Sequence, residues 1–234
     1  MTDKFSVEFT KGVLTSIPML LAFIPIGLIF GAQASMQGMS FITAFLMTAM
    51  NFAGGSEFAA ISIWSSIPPF FLIAFSTFFI NSRHVVMSAA LCPYLKGQRP
   101  LFVALIYFLM CDESFALNIA NCQKTGRFSL GFYLGSAFAL WANWWCSSMI
   151  GALIGHGLGD LSAFGVAMAF PAIFIFLTVA MWPKHDLKKE IAVIVSLLGA
   201  AFAAQIVPVV YCTAIGSIIG ILVFCLLSLH KEKV

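Results

Sequence analysis

Apolar runs of about 20 residues follow one another along this chain, and that repetition dictates what it can fold into. They extend from Gly12 to Ala34, Phe41 to Trp64, Phe70 to Leu91, Leu101 to Asn121, Phe128 to Ile154, Leu161 to Trp182, Ile191 to Ile206 and Val209 to Ser228. Each has the length that crosses ~30 Å of hydrocarbon as a helix. Only 9% of residues are charged and 61% are hydrophobic, whereas soluble chains carry about 25% charged residues. There are too few polar side chains here to cover a water-facing surface. The expected fold is an all-α polytopic integral membrane bundle with eight hydrophobic segments, embedded in the lipid bilayer. The connections are too short for a soluble domain, so residues 1–234 read as a single transmembrane domain.

Several function classes fall away on the same grounds. The net charge of +3 is spread over the loops and forms no stripe that would hold nucleic acid. Cysteines 92, 111, 122, 146, 212 and 225 contain no Cys-x-x-Cys pair and lie mostly inside apolar runs. They read as small core residues rather than as a zinc site or a disulfide framework. There is no nucleotide-binding motif, and no cofactor is expected. No small-residue cleavage signal follows the first apolar run, which reads as a retained anchor.

Lys and Arg set the orientation, because positively charged short loops stay cytoplasmic. Lys4, Lys11, Lys96, Arg99, Lys124, Arg127, Lys184, Lys188, Lys189, Lys231 and Lys233 mark the inside, which places both termini there. Simple alternation of eight crossings then puts the basic 92–100 loop outside. The conflict disappears if 41–63 and 101–121 are re-entrant hairpins entering from opposite sides, and eight spans with broken helices is the alternative. Both segments have polar centres: Asn-Phe-Ala-Gly-Gly-Ser-Glu from Asn51 and Cys-Asp-Glu-Ser from Cys111. Non-helical backbone at membrane depth is tolerated where it is buried in protein or lines a cavity, which is where transporters hold solute and ions. A weak internal echo joins the stretch from Phe30 to that from Ile150, although the second copy lacks the glycines and the acid and has Pro171 at the break.

Three clusters carry the chemistry. In the first, Asn51, Gly54, Gly55, Ser56 and Glu57 interrupt an apolar segment. A carboxyl there costs ~2.5 kcal/mol or more to insert and marks a solute or proton pathway, while the glycines loosen the helix and admit a close approach. The second places Asn81, Arg83 and His84 together near the expected cytoplasmic end of 70–91. Arg83 reads either as an interfacial snorkelling residue or as the partner of a carboxylate, whether that of a solute or of Glu57, Asp112 or Glu113. His84 is a candidate proton relay, since imidazole exchanges protons near neutrality, or else a hydrogen-bonded neighbour. In the third, Asp112 and Glu113 are adjacent; one suits a helix start and the other proton coupling.

Across these clusters the chain resembles the AzlC family of branched-chain amino acid export permeases. The resemblance rests on IPIGLIFGAQASMQGMS near the start, then FAGGSEFA, NSRHVVMSAALCPYL and CDESFAL. It implies an inner-membrane exporter of Leu, Ile, Val and similar amino acids that works with a small membrane partner of the AzlD type. Glu57 stands where the family usually has Gln, and Cys111 where it usually has Thr. The added acid is expected either to alter ion coupling or to favour a more positively charged solute.

The residues by themselves also suit an amino acid. Its carboxylate would meet Arg83 or the backbone N–H groups at Gly54–Ser56, and its ammonium Glu57, Asp112 or Glu113. Proton exchange is the expected energy source. An intramembrane enzyme built on Ser56 with His84 or His156 is the competing class, but a nucleophile elbow and a His-x-x-x-His spacing are both missing. A solute channel and a purely structural subunit are further alternatives. His156 and Asp160 read as solvated, and His185 and His230 as neighbours of cytoplasmic lysines. Gly-x-x-x-Gly spacings at Gly27/Gly31, Gly131/Gly135, Gly151/Gly155 and Gly216/Gly220 read as close helix contacts. Trp141, Trp144 and Trp145 with Asn143 read as interfacial anchors, or as a stacking surface for a solute.

Overall fold

The structure, a computed structural model, describes residues 2–155, 175, 179, 186–207 and 209–229. His156, Asp160, Pro171, His185 and His230 lie outside the described residues, as do most of the run from Leu161 to Trp182 and most of the second copy of the internal echo. The described residues are helical with no strand. The helices are α1 (Thr2–Met36), α2 (Phe41–Asn51), α3 (Gly54–Ser62), α4 (Phe70–Asn81), α5 (Arg83–Leu91), α6 (Pro100–Phe108), α7 (Asp112–Thr125), α8 (Leu130–Ile154), α9 (Leu187–Ala203) and α10 (Val209–Leu229), with a 3-10 turn at Cys92–Leu95. Three stretches among them are long and apolar enough to cross a membrane: Lys4–Met36, Phe70–Leu95 and Leu130–Ile154.

Segments 41–63 and 101–121 are each divided in two, as their polar centres lead one to expect. At 1.5 Å per residue α2 is about 16 Å long, half the thickness of the hydrocarbon layer. Ser40 caps its start by accepting from Thr43 N–H, and Phe52 ends it in the left-handed region at φ 46°, ψ 44°. A bulky residue seldom adopts that conformation. Here its buried ring holds the position. The second division runs from Leu109 to the extended Cys111, and α7 restarts at Asp112. Ser114 Oγ accepts from Cys111 N–H at 2.9 Å and so closes the first turn of α7.

A third interruption, at Ser82, was not expected from the sequence. Its backbone stays helical, with φ −56° and ψ −25°, and Val85 N–H donates to Ser82 O at 3.0 Å, a tighter three-residue step that marks the division without a reversal of direction. No Gly or Pro was needed, and none signals the site.

Two compact units emerge, residues 1–73 with 81–166 and residues 74–80 with 167–234. The first is organised on the pairing of α1 with α8. A Cβ on Gly31 would strike Ser148 O and one on Gly151 would strike Leu28 O, while a Cβ on Gly135 would strike Phe9 O. The small-residue spacings of these two helices therefore serve internal contacts, as is common for helices packed in lipid. Fully buried Phe30 of α1 lies against Trp144 of α8, while Tyr133 and Ala137 of α8 pack in a core with Leu91, Leu95, Ile106, Leu109 and Met110. Asn143 Nδ2 donates to Leu20 O at 3.1 Å, close to Pro25, whose missing N–H weakens the α1 ladder. In the second unit α9 packs on α10, with Gly216 against Ser196 O and Ala200, and Gly220 against Ser196 and Ala192 O. Asp186 caps α9, and hydrogen bonding to Lys189 holds its carboxyl below the ordinary value.

Candidate functional site

The interruptions in α2–α3, α4–α5 and α6–α7 are joined by polar side chains inside the first unit. Glu57, in the first full turn of α3, is completely buried. Its Oε1 accepts from Ala53 N–H at 3.1 Å and its Oε2 from Trp144 Nε1–H at 2.7 Å. Beside it Ser56 Oγ donates to Ala53 O at 2.9 Å and accepts from Asn51 Nδ2 at 3.0 Å and Asn81 Nδ2 at 3.2 Å. Asn81 Nδ2 also lies 3.4 Å from Asn51 Oδ1. Gly54 and Gly55 are partly exposed in the first turn of α3, where N–H groups lack intrahelical acceptors.

The second cluster continues this chain of contacts into the third. His84 Nδ1 is 3.0 Å from Asn81 O and its Nε2 is 3.2 Å from Met110 O. Both partners only accept, so a doubly protonated ring satisfies both and a neutral ring satisfies one. Arg83 and Asp112 form an ion pair at 2.9 Å, with side chains 30% and 22% exposed. Of the acids that could meet Arg83, Asp112 forms an ion pair with it. Glu113 is buried beside Asp112 in the first turn of α7. Every expected site residue thus lies at one of three adjoining helix interruptions.

Helix α8 supplies what sequence reasoning missed. Tyr133 Oη donates to Ile106 O in the last turn of α6 at 2.8 Å, and Trp141 Nε1 donates to Ala49 O in the last turn of α2 at 2.8 Å. Those carbonyls belong to helix ends, which have no partner of their own. Trp144 donates instead to a side chain, the Glu57 carboxyl in the first turn of α3. Trp141 and Trp144 are therefore donors at the interruptions. The available signal was position, since Trp144 stands near the middle of a 25-residue helix while interfacial residues sit near helix ends.

The AzlC protein family matches residues 18–158, a stretch that contains all three interruptions and α8. The chain belongs to this family. Among its relatives, an uncharacterized membrane protein of Archaeoglobus fulgidus is 35% identical over 65% of this chain and 65% of its own length. The inner membrane protein YgaZ of Escherichia coli is 26% identical over 93% of this chain and 89% of its own. The branched-chain amino acid transport protein AzlC of Bacillus subtilis is 27% identical over 78% of this chain and 70% of its own. No solved structure matches the chain. With its apolar helices and these relatives, this AzlC-family protein is an all-helical integral membrane protein.

Proposed function

We propose that this chain is a secondary active exporter of branched-chain and similar apolar amino acids, acting as one transport domain over residues 1–234. The observation that carries the reading is the polar seam through three interrupted helices, in which Asn51, Ser56, Asn81 and His84 are hydrogen-bonded in series beside Glu57 and the Arg83–Asp112 pair, within otherwise apolar segments. Interrupted helices at membrane depth are where transporters hold solute and coupling ion. Membership of the AzlC family and the name of the B. subtilis relative support the solute class.

In this reading the partly exposed Asn51, Gly54, Gly55 and Asn81 form the approach for the solute. First-turn N–H groups of α3 meet its carboxylate. Ser56 holds Asn51 and Asn81 in place, and Arg83, paired with Asp112, supplies the fixed positive charge. Glu57, His84, Asp112 and Glu113 exchange protons, so that the pH gradient drives export. Both termini face the cytoplasm, and a small AzlD-type membrane subunit completes the transporter. One methylene in an apolar pocket is worth only ~1–3 kcal/mol, so Leu, Ile, Val and Met compete for one site.

The test uses proteoliposomes with and without that small subunit, following radiolabelled leucine, valine, methionine and lysine under an imposed proton gradient. Saturable uphill flux of leucine and valine that needs the subunit is the expected result. Flux of lysine alone would assign the acid at position 57 to a cationic solute, and downhill flux alone would make the protein a channel.

A further inference from the structure

Two N–H groups converge on the Glu57 carboxyl from separate parts of the fold. Ala53 reaches Oε1 from the interruption between α2 and α3, and Trp144 reaches Oε2 from the middle of α8. A backbone N–H and an indole N–H can only donate. Both side chains are buried, Glu57 fully and Trp144 to 4% exposure, and a buried donor left unpaired is costly. Two acceptor oxygens at position 57 satisfy both donors, as a carboxylate does and a carboxamide does not, and a proton taken up by the carboxyl would replace one acceptor by an O–H. The indole is itself fixed, since Phe23 meets it edge-on at 5.8 Å and the fully buried Phe30 lies at 5.8 Å. It cannot turn away without disturbing the α1–α8 seam.

We propose that Trp144 is a positioning residue for Glu57: it fixes the carboxyl across the helix interruption and thereby decides that position 57 carries an acid. The proposal rests on the reading of Glu57 as part of the solute and proton pathway. It makes the departure at position 57 a property of two residues, one on α3 and one on α8. Glu57→Gln turns an NH2 group toward one of the two N–H donors. Trp144→Phe removes one of those donors while keeping an aromatic ring.

The test combines a thermal unfolding cycle on the purified full chain with flux in proteoliposomes that also hold the small AzlD-type subunit, using Glu57→Gln, Trp144→Phe and the double variant. Glu57→Gln should lower the unfolding temperature by several degrees in the Trp144 background and have little effect in the Trp144→Phe background. An equal lowering in both backgrounds would overturn the match. Per mole of folded protein in proteoliposomes, Trp144→Phe should reduce maximal leucine and valine flux about tenfold, as expected for one hydrogen bond to a carboxyl, with KM changed less than about twofold. Trp145→Phe is the control, because Trp145 Nε1 has no hydrogen-bond partner among the described residues; it should retain full flux. Undiminished flux in Trp144→Phe would overturn the positioning role. A wild-type protein that moves neither amino acid with the small subunit present would refute the exporter reading, and the unfolding cycle would still decide the match.

Discussion

Arg83 and Asp112 meet at 2.9 Å in a setting between surface and core. An exposed pair is worth ~1 kcal/mol or less, whereas breaking a buried one costs roughly 3 kcal/mol or more. Asp112→Asn should therefore cost an intermediate ~1–2 kcal/mol of stability and sharply reduce flux. The swap Arg83→Asp with Asp112→Arg should recover the stability and leave flux low, measured by denaturation and by transport on the same preparations. Phe52 poses a contest of magnitudes. Phe52→Gly relieves the ~1–2 kcal/mol of a left-handed residue but loses a buried ring worth ~3–5 kcal/mol, so a net loss of stability is expected on thermal unfolding. The sequence marked Asn51, Ser56, Glu57, Asn81, Arg83, His84, Asp112 and Glu113 through their polarity within apolar runs. It left open which acid Arg83 meets, because pairing across segments depends on packing and not on spacing along one helix.

At the level of elements, α8 joins the interruptions together. Its Tyr133, Trp141 and Trp144 donate to the end of α6, the end of α2 and the start of α3, while α1 covers its glycine face. Because a Cβ on Gly31 or Gly151 would meet backbone atoms rather than a side chain that could move, Gly31→Ala and Gly151→Ala should each cost ~1–3 kcal/mol through overpacking. The check is the unfolding temperature. Gly38→Ala, at a positive φ with open space around it, should cost less. The divisions of 41–63 and 101–121 were legible because Gly-Gly-Ser-Glu and Cys-Asp-Glu-Ser interrupt apolar runs. The one at Ser82 was not, because its backbone remains helical and its flanking Asn81 and Arg83 read as polar residues on a continuous helix. The role of α8 was hidden for a related reason: donors that serve another segment's backbone look like ordinary apolar-helix residues in their own.

For the whole molecule, the apolar runs and the scarcity of charge made the all-helical membrane class legible before any motif was weighed, because hydrocarbon imposes length and polarity together. Family membership then agreed with the residues that carried the resemblance. Orientation, solute and coupling depend on differences between states and do not follow from hydropathy. The central claim is that the amino acid binds where the three interruptions adjoin, and ligand-dependent thermal unfolding tests it most directly. A bound solute raises the unfolding temperature in proportion to RT ln(1 + [L]/Kd). Leucine and valine should raise it saturably in the wild-type protein, with the rise abolished in Asn81→Ala, whose side chain bridges the first two interruptions. An equal rise in Asn81→Ala would place the binding site elsewhere in the molecule and contradict the account.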